Sequence, residues 1–312
     1  MPHHVPRDSL KSPRFVGVAT FARLPHVQDL DGVDVAFVGV PFDTGVTNRP
    51  GGRYAPNAIR AASIMIRQYN PALDVKPFDV LSCIDYGDVP IVPGFIQPSY
   101  DAMERTIAPL VERGVLPILL GGDHSCSLGH LRGLRAHSPL ALVMFDSHTD
   151  CWDEYYGQKY THGTWVRRAL EEGLIDPARS ILVGLRGSLY DSSDWTELED
   201  ELGLAYVTAE QVHDRGVPDV CAQIRERVGS AKAYMTFDID SVDPAFAPGT
   251  GTPEVAGFMP LQALRLIRGL AGLDFRGFDL VEVIPAYDPA QVTTTLAANL
   301  AWEMLSITAV AR

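Results

Sequence analysis

Residues 145–153 read Phe-Asp-Ser-His-Thr-Asp-Cys-Trp-Asp, an apolar run that ends in carboxylates and a histidine. Asp146, His148 and Asp150 alternate, so on an extended backbone their side chains leave on the same side. Three further segments also end apolar runs in polar groups. Residues 118–125 deliver Asp123 and His124, residues 235–243 deliver Asp238, Asp240 and Asp243, and residues 280–288 deliver Glu282. Each has an ordinary explanation when taken alone. Gly-Gly-Asp is turn chemistry, Asp-x-His-x-Asp could be a helix cap or a loop, and Asp-Ile-Asp-Ser-Val-Asp could be a solvated loop or a calcium-binding turn. Gathered at one sheet edge, however, these carboxylates would repel one another and drift toward protonation unless something positive neutralised them. Divalent ions do so most simply. Taking the alternating sets Asp146, His148, Asp150 and Asp238, Asp240 together with His124, two histidines and four aspartates without a thiolate suit Mn(II), with Ni(II), Co(II) or Fe(II) as alternatives, better than structural zinc. Six side chains exceed what one catalytic ion with an open position uses, so a pair roughly 3.5 Å apart is expected, with an acidified water between them. The charges nearly cancel and leave a slight negative excess, which favours a cationic ligand over a phosphate.

The elements that must position these groups read as an α/β domain. Apolar, β-branched runs at 34–40, 115–122, 140–146, 180–186, 233–240 and 276–283 have the composition of strands buried on both faces. Helical patterns fall near 56–67, 99–113, 127–136, 163–172, 217–228, 260–271 and 293–306. The alternation predicts a mainly parallel sheet, in which loops leaving the carboxyl ends of the strands converge on a ligand site. With no internal repeat and no linker, residues 1–312 are expected to form a single domain, the first 30 lying extended over its surface. The 312 residues are 46% hydrophobic, enough for a sizeable core, and carry a net charge of -13, which argues against nucleic-acid binding. The sequence shows neither a secretion signal nor an apolar stretch of membrane-spanning length, so a cytoplasmic location and no membrane partner are expected. Four dispersed cysteines, Cys83, Cys126, Cys151 and Cys221, indicate buried thiols rather than a disulfide framework or a thiolate metal site.

The segments Gly121-Gly-Asp-His-Ser125, Asp146-Ser-His-Thr-Asp150 and the run from Thr236 to Gly257 resemble the three signature segments of the ureohydrolase family, which includes arginase and agmatinase. Residues 49–60, 161–164 and 279–285 extend the likeness over most of the chain. The resemblance implies a three-layer α/β/α domain around an eight-stranded parallel sheet, assembled as a homotrimer or homohexamer. It implies one ion on His124, Asp146, Asp150 and Asp238 and another on Asp146, His148, Asp238 and Asp240. It also implies that Glu282 grips the substrate's guanidinium, for which a carboxylate is a natural two-pronged partner. His162 would carry protons to the leaving amine, and Asp150 would orient the attacking water. The implied reaction is metal-assisted hydrolysis of a small cationic guanidino compound to urea and an amine.

Substrate identity is less sharply written. Residues 151–164 are aromatic-rich and lack the polar pattern associated with arginine as substrate; Trp152, Tyr155, Tyr156 and Tyr160 could line an apolar tunnel or simply pack beneath the loop. Lys159 or Arg53 could meet a carboxylate, whereas Asp153 and Glu154 could meet an amine. Trp165 departs from the wording of the nearest members after Thr164. A guanidino acid, 4-guanidinobutyrate or 3-guanidinopropionate, is the leading expectation, with agmatine next and other guanidines after it. A non-catalytic assembly partner is a second class of reading, and a single-zinc deacetylase is a third, for which the chain lacks a catalytic His-His pair.

Overall fold

In the computed structural model, which describes residues 2–312 and leaves Met1 outside the described residues, the apolar runs pair into one sheet. Its strands are β1 (Val35–Gly39), β2 (Cys83–Asp88), β3 (Leu116–Leu120), β4 (Ala141–Phe145), β5 (Ile181–Leu185), β6 (Ala205–Thr208), β7 (Lys232–Asp238) and β8 (Asp274–Val281). They lie in the order β2-β1-β3-β8-β7-β4-β5-β6 and every pairing is parallel. The six runs read as strands all occur. The two not foreseen, β2 and β6, form the sheet edges and are the ones whose residues are partly exposed along much of their length.

Alternate residues of each strand feed two separate cores. Phe37, Ile118, Val143, Val183, Met235 and Phe278 point into one, against helices Ala55–Ser63, Ala209–Arg215, Val217–Val228, Pro260–Arg268 and Val292–Val310. Val38, Leu119, Met144, Leu182 and Tyr234 point into the other, against helices Ile96–Glu112, Cys126–Gly133, Trp165–Glu171 and Ser193–Asp200. The result is three layers, with each fully buried aliphatic side chain contributing about 1.5–3 kcal/mol. All four cysteines are buried and unpaired.

The N-terminal segment has little regular structure beyond a single turn at Phe21–Arg23, and it follows the β2 edge. His4 C=O accepts the Cys83 N–H, and Phe21 N–H donates to the Asp85 carboxylate at 2.8 Å. That carboxylate is held in two-pronged fashion by buried Arg60, at 2.8 and 2.9 Å, while Arg60 also reaches Asp88 at 2.6 Å.

The topology dictates where a ligand goes. The chain builds β1–β3 on one side, crosses to build β4–β6 on the other, and returns to insert β7 and β8 between them. The four central strands, β3, β8, β7 and β4, therefore open at the place where the winding reverses, and their carboxyl ends form one crevice.

Candidate metal centre

Each central strand ends in the residues singled out above. After β3, Gly121 and Gly122 take φ of 81° and 96°, a region that side-chain-bearing residues avoid. This turn swings Asp123 and His124 back over the strand end. Asp146 follows β4 directly, Asp238 closes β7 with Asp240 two residues on, and Glu282 follows β8.

His124 Nδ1 lies 2.8 Å from Asp146 Oδ2 and 3.1 Å from both Asp150 Oδ2 and Asp238 Oδ2. Its Nε2 sits 2.8 Å from Thr236 Oγ1, where it can donate and leave the Nδ1 lone pair aimed at the carboxylates. His148 Nδ1 lies 3.1 Å from Asp240 Oδ2 and 3.5 Å from Asp146 Oδ1. Two ligand groups result, His124–Asp146–Asp150 and Asp146–His148–Asp240, with Asp146 common to both. Asp238 approaches the first through Oδ2, while its Oδ1 accepts the Asp240 N–H at 2.8 Å.

The Asp146–Asp150 stretch is not the extended ladder that alternation suggested. It bends beyond the end of β4, with Asp150 at φ 51°, and His148 N–H folds back onto Asp146 Oδ1 at 2.7 Å. The three side chains still converge, but through a turn. Ser147 Oγ donates to Asp240 Oδ1 at 2.6 Å and lies 3.1 Å from His148 Nδ1, so it braces the second ligand group.

Electrostatics mark the cluster as built for cations. Burial, then the neighbouring carboxylates Asp240 and Asp150, raise the Asp146 carboxyl above its ordinary range. Burial, then Asp240 and Asp146, do the same to Asp238 more strongly. Burial opposes a charge on His124, yet the carboxylates of Asp146, Asp150 and Asp238 overcome it and push the imidazole well up. His124 Nδ1 and Asp146 Oδ2 are buried without a hydrogen-bond partner despite their proximity. Oxygen-rich donors that repel one another, with orphaned atoms converging on two points, fit a pair of divalent ions.

Beside this cluster Glu282 adopts φ 61°, a strained conformation for a non-glycine residue. Its N–H donates to Gly122 C=O at 2.9 Å. Oε1 accepts the His124 N–H and meets His162 Nδ1, each at 2.9 Å, while Oε2 is buried and without a partner. A Cβ on Gly251 would stand 3.2 Å from Oε2, so the glycine leaves that oxygen a free face. With Oε1 already committed, Oε2 alone is left open, one oxygen fewer than the two-pronged contact expected from the sequence would use.

His162 Nε2 lies 2.7 Å from Thr47 Oγ1 and accepts the Thr47 N–H at 3.1 Å. Burial disfavours its charge, but the Glu282 carboxylate prevails and lifts it to about 9. The Thr47 N–H works against that rise, because it favours the neutral ring.

The aromatic loop divides. Trp152 and Tyr155 line a cavity of about 300 Å³ that touches His148 and is bounded by Arg186, Tyr190 and Glu254. Tyr160 turns away to pack edge-on against Tyr100, 6.1 Å between centroids, and Tyr156 is exposed. Arg53 is paired with Asp43, and Asp153 with Arg168. Trp165 donates its indole N–H to Asp150 Oδ2 at 2.8 Å and packs on His124, 4.9 Å between rings. Thr47, Thr236, Arg186 and Gly251 carried no sequence signal. Thr47 and Arg186 lie outside the signature segments, Thr236 and Gly251 lie within one without being singled out, and all four reach the site through contacts distant in sequence.

The pattern characteristic of the arginase family matches residues 33–306. The chain is 44% identical over 308 residues to the guanidinobutyrase of Pseudomonas aeruginosa, covering 97% of this chain and 96% of that protein. It is 43% identical over 305 residues to the mitochondrial agmatinase of Gallus gallus, covering 97% and 89%. Among solved structures, the proclavaminate amidinohydrolase of Streptomyces clavuligerus superposes with a TM-score of 0.91 at 38% identity, over 96% of this chain and all of that one.

Proposed function

This chain belongs to the arginase family, whose ureohydrolases cleave guanidino C–N bonds at a centre for two divalent ions, and from that premise we propose that it converts a small linear guanidino acid to urea and an amine. The observation that carries this reading is Glu282 Oε2, a buried, unpartnered carboxylate oxygen beside the two ligand groups. A planar guanidinium offers the N–H donors that this atom lacks.

His124, Asp146, Asp150 and Asp238 on one side, and Asp146, His148, Asp238 and Asp240 on the other, are the ligands we assign. Two bound ions, for which Mn(II) is the choice the oxygen-rich donors support, would supply an acidified water and stabilise charge developing at the guanidinium carbon. Glu282 orients that carbon by accepting a guanidinium N–H at Oε2. His162, steadied at Nδ1 by Glu282 and at Nε2 by Thr47, relays the proton given up by the attacking water to the departing amine nitrogen as the C–N bond breaks. Water adds to the carbon, so the products are urea and the free amine. Trp152 and Tyr155 flank the substrate's distal chain.

4-Guanidinobutyrate and 3-guanidinopropionate are the proposed substrates, supported by the 44% identity to a guanidinobutyrase. One observation favours agmatine as a second reading. Among the described residues lining the Trp152 cavity, Arg186 is the sole Lys or Arg, and its donors are spent on backbone carbonyls, so a substrate carboxylate would find no free cation there. Urea release from a panel of 4-guanidinobutyrate, 3-guanidinopropionate, agmatine and arginine separates the two. The acids should turn over fastest, and a strong preference for agmatine would reverse the order.

We also propose a homotrimer or homohexamer, supported by Phe246, Val255, Met259 and Leu261, apolar and exposed along one segment. Light scattering tests it. Among the described residues no helix is long and apolar enough to cross a membrane. The proposed cytoplasmic location rests on the four buried free thiols.

A further inference from the structure

Two residues outside both ligand groups hold the centre from opposite sides. Arg186, in the loop after β5, donates from Nε to Val255 C=O at 3.0 Å, from Nη1 to the carbonyls of Gly184 and Ser241 at 3.2 Å, and from Nη2 to those of Asp240 at 2.6 Å and Glu254 at 2.8 Å. That uses all five guanidinium hydrogens. Its own N–H donates to Ser147 C=O at 3.0 Å. Arg186 thereby ties the residue before His148 to the backbone of Asp240, the two ligands confined to one group. A Cβ on Gly257 would stand 2.5 Å from Nη2, so this glycine admits the side chain.

Trp165 does the same for the other group. Its Nε1–H donates to Asp150 Oδ2, its ring packs on His124, and it is 1% exposed. The next residue, Val166, donates its N–H to Asp150 C=O at 3.1 Å, which helps hold Asp150 at its positive φ. Neither brace touches the ligands of the opposite group in these contacts, and neither touches Asp146 or Asp238, the carboxylates assigned to both.

We propose that Trp165 and Arg186 are separate positioning residues for the two halves of the centre, so that each half can be weakened while the other stays loaded. The inference rests on the two-ion reading. Outer contacts that fix ligand orientation are worth about 10- to 100-fold in metal affinity.

The test compares the full-length parent, Trp165→Phe and Arg186→Lys, each stripped of metal and titrated with Mn(II). The readouts are bound equivalents, site occupancy from anomalous diffraction, and the melting temperature of the metal-free protein. Trp165→Phe should weaken the His124–Asp150 position by about 10- to 100-fold and leave the His148–Asp240 position within about threefold, and Arg186→Lys should do the reverse. If Arg186→Lys is not recovered folded, Arg186→Gln takes its place. Equal loss at both positions in either variant, or a fall in metal-free melting temperature with no split between the ions, would overturn the proposal. A parent that takes up fewer than two ions would instead sink the two-ion reading itself.

Discussion

Replacing Glu282 by Gln keeps the shape of the side chain and removes its charge. The amide must keep its oxygen at the Oε1 position, where the His124 N–H and His162 Nδ1 each arrive at 2.9 Å. Its NH2 group then occupies the Oε2 position and meets a guanidinium donor with a donor. The loss is one charge-assisted hydrogen bond, about 1.5–3 kcal/mol, and at 1.36 kcal/mol per decade that is a fall in kcat/KM of about 10- to 150-fold. A second effect follows on pH. In the metal-free chain the Glu282 charge, acting against burial, lifts His162 to about 9, which favours the protonated ring below that pH and the neutral ring above it. Without that carboxylate, burial is opposed only by the smaller contributions of Asp150 and Asp123, and the ring gives up its proton at lower pH. Bound cations depress the parent as well, so the comparison is made in the same metal: the limb of the kcat/KM profile set by protonated His162 should move acidward by about two pH units. Urea release across pH and bound metal by elemental analysis are the assays. Because Glu282 lies in neither ligand group, metal content should equal the parent's. A kcat/KM within about threefold of the parent, or metal lost in proportion to activity, would refute the reasoning.

Asp146→Asn removes the carboxylate common to both ligand groups; both ions and all measurable turnover should vanish together, while the metal-free protein melts no lower than the parent because one repelling charge is gone. Chelation should lower the melting temperature of the parent reversibly, by an amount equivalent to about 2.7 kcal/mol for each ion supplied at a hundred times its dissociation constant. Arg60→Met strands the buried Asp85 carboxylate at the β2 edge and should cost about 3–5 kcal/mol by denaturant titration, with urea turnover of the folded protein unchanged. Trp152→Ala should raise KM for guanidines with a distal chain by about tenfold through lost apolar contact, leaving kcat and metal content unaltered.

The ligands were legible because the sheet puts them at strand ends: an apolar run must precede each, and parallel order then brings the ends together. What periodicity could not supply was the path between them. Asp146, His148 and Asp150 converge through a turn with a left-handed residue, a conformation that alternation misreads as a strand. The edge strands β2 and β6 escaped notice for a related reason, since a half-exposed strand carries no continuous apolar run. Thr47, Thr236 and Arg186 act through partners far along the chain, and neither composition nor spacing records such a contact. Trp165 was visible only as a departure from the expected wording. Its hydrogen bond to Asp150 gives that departure a physical meaning.

Urea production by the metal-reconstituted chain, measured against its metal-stripped form on the guanidino panel, tests the central claim most directly. The account predicts two Mn(II) bound per chain, urea released from at least one linear guanidino compound, and loss of that release on chelation with recovery when Mn(II) is restored. A chain that binds two ions yet releases no urea from any guanidine would contradict it and leave a non-catalytic assembly partner as the better reading.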